Sequence, residues 1–328
     1  MKKYIKIVAA LLLVASLGTI DTLTVLAETE EKQQTTESEN TASSESATQA
    51  AGNAATGGKI TGTTTTAAED SSAGTTADGD GALQHQVYCT VLGDSIAKGY
   101  SGDKSVWIEN YGSLVTKKIA YESGYRYNYR NFAKNGLASK ELNENILTKK
   151  RVQFSLAKSD LILITIGSND LLDECKNVVQ DLLNTDTKFK SADEALKSLK
   201  SSVKKNPLLV LSAIDALSNW DYQSFETQWK KMMKTVNSIK KEDAQIIVTT
   251  IYNPVADMKL PATMNQVVEG IIENMNSIII KNADKYGYEV ADVFDSAISA
   301  HVQKDGLHPD QQGQQIIADL VDEKWQNE

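Results

Sequence analysis

The chain has 328 residues, 41% of them apolar and 23% charged, with a formal net charge of −9. Ten acidic residues against Lys32 and Lys59 in the stretch 28–84 carry most of that charge, so the remainder is only mildly acidic and lacks the basic face a nucleic-acid partner needs. Cys89 and Cys175 are the only two cysteines, too few for a disulfide framework, so a folded part must rest on a hydrophobic core.

The first residues read as an export signal over 1–27. Lys2, Lys3 and Lys6 precede an apolar run at 7–17 that is short for a membrane span, and Val25-Leu26-Ala27 offers small residues for cleavage. Residues 28–84 are dominated by Thr, Ser, Ala, Gly, Glu and Gln. Such a segment buries too little surface to offset its ordering entropy, so a disordered spacer is expected. No second long apolar run follows, so no integral span is expected after signal cleavage. These features point to a secreted or cell-surface protein, and the spacer suits association with a cell wall. The catalytic or binding domain is then 85–328.

Within that domain the apolar run 88–93 predicts a strand that stops at Gly93-Asp94-Ser95. Tyr111, Leu114, Val115 and Ile119 fall at helical spacing within 107–123, and Gly124 marks a stop. A short strand is predicted at 127–133, a turn at Asn135-Gly136, and a helix from Ser139. The run 161–166 is the clearest buried strand and ends at Gly167-Ser168-Asn169-Asp170. A long helical section follows at 171–183, 192–203, 208–217 and 222–239, able to form either a lid or added packing. The run 244–252 is the next strand; a helix at 264–286, a strand at 288–294 and a helix at 311–325 complete the chain. Continuous apolar strands alternating with helices predict an α/β domain whose parallel sheet is covered on both faces. Ligands in such sheets bind beyond the carboxyl ends of the strands. Gly93-Asp94-Ser95, Asn135-Gly136 and Gly167-Ser168-Asn169-Asp170 all sit at such ends.

Those ends carry the chemistry. Ser95 is a candidate nucleophile. Asp305-Gly306-Leu307-His308-Pro309 places a carboxylate three residues ahead of a histidine. There it can hold one ring nitrogen and turn the other toward a hydroxyl. An oxyanion formed on attack needs donors. The Ser95 amide, the Gly136 amide with no side chain in the way, and the Asn169 side-chain amide are the candidates. Cys89, inside the first apolar strand, reads as a small buried thiol, and neither it nor Cys175 has a histidine beside it in sequence.

The four blocks Gly93-Asp94-Ser95, Gly136, Gly167-Ser168-Asn169-Asp170 and Asp305-Gly306-Leu307-His308-Pro309 resemble, in order, those of the SGNH or GDSL hydrolases. The resemblance covers about 90 to 309. It implies a three-layer α/β/α, flavodoxin-like domain with a mainly parallel five-stranded sheet, and ester hydrolysis through an acyl-serine. It makes Ser95 the nucleophile, His308 the base and then the acid, and Asp305 the orienting carboxylate. It forms an oxyanion hole from Ser95, Gly136 and Asn169, with Asp94 and Asp170 in support. No cofactor or metal is implied. The finer resemblance, resting mainly on layout, is to exported bacterial lipase/acylhydrolases acting on lipid or lysophospholipid esters. A carbohydrate O-acetyl esterase of the same fold is the nearest alternative, with Trp107 and Tyr111 placed to flank an acyl chain or a sugar. An alternative of another class is a non-catalytic surface module binding carbohydrate or lipid through Trp220, Tyr222, Phe225 and Trp229. It sits poorly with four unbroken blocks. An α/β-hydrolase would need its serine in G-x-S-x-G, and a zinc enzyme three well-spaced ligands; His301, Asp305, His308 and Asp310 crowd into one short stretch.

Overall fold

The computed structural model describes residues 85–325 apart from 191, 207, 208, 210, 211, 213, 214, 217–219, 255 and 257–261. The expected export signal 1–27, the spacer 28–84 and most of the expected helix 208–217 lie outside the described residues.

Strand β1 (Gln86–Gly93) leads into the short helix α1 (Ser95–Lys98), then α2 (Tyr111–Ser123) and β2 (Arg126–Asn131). One helical turn, α3 (Ser139–Glu141), widens into a π-helical turn at Leu142–Ile146 and is followed by α4 (Lys150–Leu156). Next come β3 (Leu161–Thr165), α5 (Ser168–Leu182), α6 (Ala192–Lys205), α7 (Gln223–Ile239) and β4 (Gln245–Thr249). The chain closes with α8 (Ala262–Lys281), α9 (Ala283–Tyr286), β5 (Glu289–Ala291), a 3₁₀ turn at Ala297–His301 and α10 (Gln311–Asp322).

The five strands lie in the order β2-β1-β3-β4-β5, every neighbouring pair parallel. Side chains on a strand alternate between faces, and both faces here are covered. Leu92, Ile162, Ile164, Ile246 and Val248 join one core with α4, α5, α7 and α8. Val91, Leu161, Leu163 and Ile247 join a second core with α2 and α10. This two-sided burial is why β1, β3 and β4 read as unbroken apolar runs. Cys89 and Cys175 are free, buried and divided between the two cores.

Element ends depart from the pattern for local reasons. Helix α2 begins at Tyr111, not at 107, because the Asn110 side chain accepts from the Ser113 amide at 3.0 Å and caps it. The last strand is shorter than 288–294. The Thr250 hydroxyl accepts from the amides of Val293 and Phe294 at 2.9 and 3.0 Å, which turns that backbone away from the sheet. Helix α4 was not anticipated: its buried Val152 and Leu156 supply just two inward anchors among polar residues. The section after β3 divides its duties. Helix α7 buries Phe225, Trp229, Met232, Met233 and Val236 and is core packing, while α5 borders the site.

The strand order reverses direction between β1 and β3, and a crevice opens at such a point beyond the strand ends. Gly93 ends β1 opposite Thr165, which ends β3. Ser95 and Asn169 therefore emerge side by side.

Candidate active site

Gly93 fixes how Ser95 is presented. Its φ of +146° is one that L side chains rarely adopt, and a Cβ there would stand 2.1 Å from the Thr165 carbonyl oxygen. The close approach lets the Asp94 amide donate to that same oxygen at 3.1 Å. Asp94 then caps α1, its Oδ1 accepting from the Ile96 amide at 2.9 Å. The result is a sharp strand-to-helix bend with Ser95 in the first helical position.

His308 reaches Ser95 from the far end of the chain. The segment 302–309 folds back on itself, with Val302 and Pro309 bridged antiparallel and Gly306 in the left-handed region. Asp305 Oδ1 accepts from the amides of Leu307 and His308, each at 3.0 Å, and Oδ2 lies 2.7 Å from His308 Nδ1. His308 Nε2 lies 2.9 Å from Ser95 Oγ. Burial pushes the Asp305 carboxyl up, but the His308 ring and the two amides outweigh it and hold the group below the usual carboxylate range. An ionised Asp305 takes the Nδ1–H, which leaves the Nε2 lone pair facing the serine hydroxyl. Ser95 is 9% exposed and His308 3%.

Three side chains that hold this array carried no motif. Gln303 ties the His308 loop to the loop after Ser95: Oε1 accepts from the Gly102 amide at 2.9 Å, and Nε2 donates to the carbonyls of Tyr100 and Pro309, both at 2.7 Å. The Tyr100 ring lies against the His308 imidazole with centroids 4.4 Å apart. Gln314, fully buried on α10, donates to the Ile96 carbonyl at 3.0 Å and accepts from the Tyr111 amide at 2.8 Å. A glutamine on the inward face of an amphipathic helix, in register with Ile317, Ala318 and Val321, is the one signal the sequence offered for any of them.

The remaining block residues form a second tier. Asn169 shares a cavity wall with Ser95 and His308. Its Nδ2 donates to the Leu137 carbonyl at 3.0 Å and stands 3.4 Å from Asp94 Oδ2. Gly136 does not line that cavity. It occupies an exposed turn at φ +75°, next to the Leu137 whose carbonyl Asn169 holds. The same loop is pinned twice more: Lys134 N donates to the Gly93 carbonyl at 3.0 Å, and the Asp170 carboxylate accepts from the Ser139 amide at 2.9 Å and from its hydroxyl. Burial pushes the Asp94 carboxyl up to about 7, partly offset by the Ile96 amide. Burial likewise takes Asp170 up to about 6 against its bonds to Ser139. Tyr111 does not flank the site. It is wholly buried, its hydroxyl 2.7 Å from Thr165 Oγ1. Trp107 is 77% exposed.

The cavity at Ser95 has a volume of about 60 Å³. Ser95, Ser168, Asn169 and His308 supply its polar lining; the rest is mainly apolar wall from α5, α8, Trp220 and Ile251. Burial pushes the Cys175 thiol on that wall up to about 12, so it stays neutral and unreactive. Among the described residues no group of three or more His, Cys, Asp or Glu side chains is placed to hold a metal ion.

A parallel α/β/α sheet with a serine, histidine and aspartate in hydrogen-bonded series beyond its carboxyl edge defines a hydrolase-type architecture. Residues 90–321 match the GDSL-like lipase/acylhydrolase family, and the chain belongs to that family. No curated protein matches it in sequence. Among solved structures it is similar to the lipase Lip_vut3 from a goat rumen metagenome, at 18% identity and a TM-score of 0.48 over 72% of this chain and 95% of that one. It is also similar to phospholipase A1 from Streptomyces albidoflavus, at 15% identity and 0.49 over 74% and 100%. Axe2, an acetylxylan esterase from Geobacillus stearothermophilus, is similar at 14% identity and 0.43 over 72% and 91%.

Proposed function

We propose that the protein is a secreted serine ester hydrolase working through Ser95, His308 and Asp305. The observation that carries this reading is the unbroken series from Asp305 Oδ2 to His308 Nδ1 at 2.7 Å and from Nε2 to Ser95 Oγ at 2.9 Å. Ser95 Oγ attacks the ester carbonyl carbon while its proton passes to His308 Nε2, and the charged Asp305 stabilises the imidazolium. The oxyanion of the tetrahedral intermediate accepts hydrogen bonds from the amide of Ser95 and from Asn169 Nδ2. Collapse breaks the ester C–O bond, and His308 returns the proton to the departing alcohol. Water then attacks the acyl-serine carbonyl, losing its proton to His308, and the acid leaves as Ser95 is restored.

A carbohydrate O-acetyl ester is the second reading. The exposed Trp107, on the loop that Gln303 anchors at Gly102, favours it, because an open indole face suits a sugar ring. Export by the segment 1–27, followed by a spacer at 28–84, would place either activity outside the cell.

An activated phosphonate ester tests the mechanism directly. One equivalent is expected to attach covalently, with the mass increment on the peptide containing Ser95 and none in Ser95→Ala. Labelling confined to another residue overturns the assignment. Asn169→Ala is expected to lower kcat by about 10²–10³-fold with a smaller change in KM; an unchanged kcat removes Asn169 from the oxyanion hole.

A further inference from the structure

The apolar cavity beside Ser95 ends abruptly, and the helices that build it show where. On α5 the wall runs through Leu171, Leu172 and Cys175. One turn further along the same face, Val179 is buried in the core and does not line this cavity. On α8 the wall includes Ile271 and Ile272, and the next inward residue, Met275, is again solid core. On each helix the lining stops within one turn, so we take Cys175 and Ile272 as the floor.

Volume gives the occupant. An apolar cavity of about 150 Å³ takes a benzene ring, so on the same scale the volume at Ser95 houses about two or three carbon atoms. The ester carbonyl itself belongs at the polar end, between Ser95 and Asn169. We propose that the protein selects short acyl groups of about two to four carbons, and that Cys175 and Ile272 set the upper limit. The inference rests on Ser95 being the nucleophile and deepens that reading by naming the acyl class. It places acetyl to butyryl esters of a bulkier alcohol ahead of long-chain lipids. The alcohol stays on the outer side, since the cavity accounts for the acyl portion alone.

A series of p-nitrophenyl esters from acetyl to decanoyl measures this with the full chain. For the wild type kcat/KM is expected to peak between acetyl and butyryl and to fall about tenfold or more by octanoyl, since methylenes that a pocket cannot house carry a penalty of that order. Ile272→Ala lowers the floor and is expected to move the peak to hexanoyl or longer. Cys175→Leu raises the floor and is expected to lower the butyryl-to-acetyl ratio about tenfold. A wild-type peak at octanoyl or beyond overturns the proposal, as does a profile that neither substitution moves. If the wild type hydrolyses none of the esters although the phosphonate labels Ser95, the acyl-class inference fails and the nucleophile assignment stands. If neither occurs, both fail.

Discussion

Ser95→Ala is expected to reduce kcat on a short p-nitrophenyl ester by about 10⁴–10⁶-fold, the scale on which removing a triad member disables a serine hydrolase. The substitution deletes the single oxygen that stands 2.9 Å from His308 Nε2 and changes little else. Backbone geometry at the bend is set by Gly93 and by the Asp94 cap, neither of which needs the hydroxyl. The stability change should therefore stay near the value of one hydrogen bond, about 1 kcal/mol. Burst kinetics and a thermal melt on the same preparation separate the two effects. His308→Ala should match Ser95→Ala within about tenfold, because residues acting as one unit are not additive. Turnover at the wild-type rate by Ser95→Ala would dismiss the acyl-serine mechanism.

Gly93→Ala carries the largest effect expected on the fold. The new methyl would sit 2.1 Å from the Thr165 oxygen and 2.9 Å from Ala97 Cβ, at a φ of +146°. Backbone strain of about 1–3 kcal/mol adds to overpacking of about 1–3 kcal/mol. Relief requires β1 and β3 to part where the Asp94 amide meets the Thr165 carbonyl. A loss of about 3–5 kcal/mol is expected, with Tm lower by about 10 °C in a domain of this size. Gly124→Ala is the control: it too has a positive φ, +66°, but open space where the methyl would go. Urea unfolding of both variants measures the difference. Equal midpoints would mean that the contact with Thr165 does not govern the bend.

The parallel sheet was legible because burial on both faces leaves a mark that periodicity reads without ambiguity, an unbroken apolar run at β1, β3 and β4. The edge strand β2 was legible from its tyrosines despite its polar residues. Helix α4 was not, since Val152 and Leu156 are too few anchors to make a pattern. Ser95, His308, Asp305 and Asn169 could be picked out because each sits in a short block at a strand end or before a helix. Gln303 and Tyr100 could not. Their value lies in hydrogen bonds and ring contact between loops about 200 positions apart in sequence, which no local spacing encodes. Trp107 and Tyr111, equal candidates by position, separated only in three dimensions: one faces solvent and the other is sealed beside Thr165. Gly136 kept its turn and its positive φ, but it stands outside the cavity that Asn169 and Ser95 share.

The braces at Gln303 and Gln314 bear on the order in which a chain synthesised from its amino end acquires a working site. The Ser95 hydroxyl and the His308 ring are 213 positions apart, and the bonds holding them join the same two distant regions. The strands β2, β1 and β3 and the bend at Ser95 come from residues before 170, whereas β5 and the α10 side of the second core come from the last forty. Closing the loop to the final thirty residues spans more than 200 positions and so carries a larger loop-closure cost than the pairing of β1 with β2 or β3. Until the segment carrying His308 and α10 docks, Ser95 lacks both its hydrogen-bond partner and the Gln314 brace, so the proposed site is the last part of the domain that a growing chain can complete.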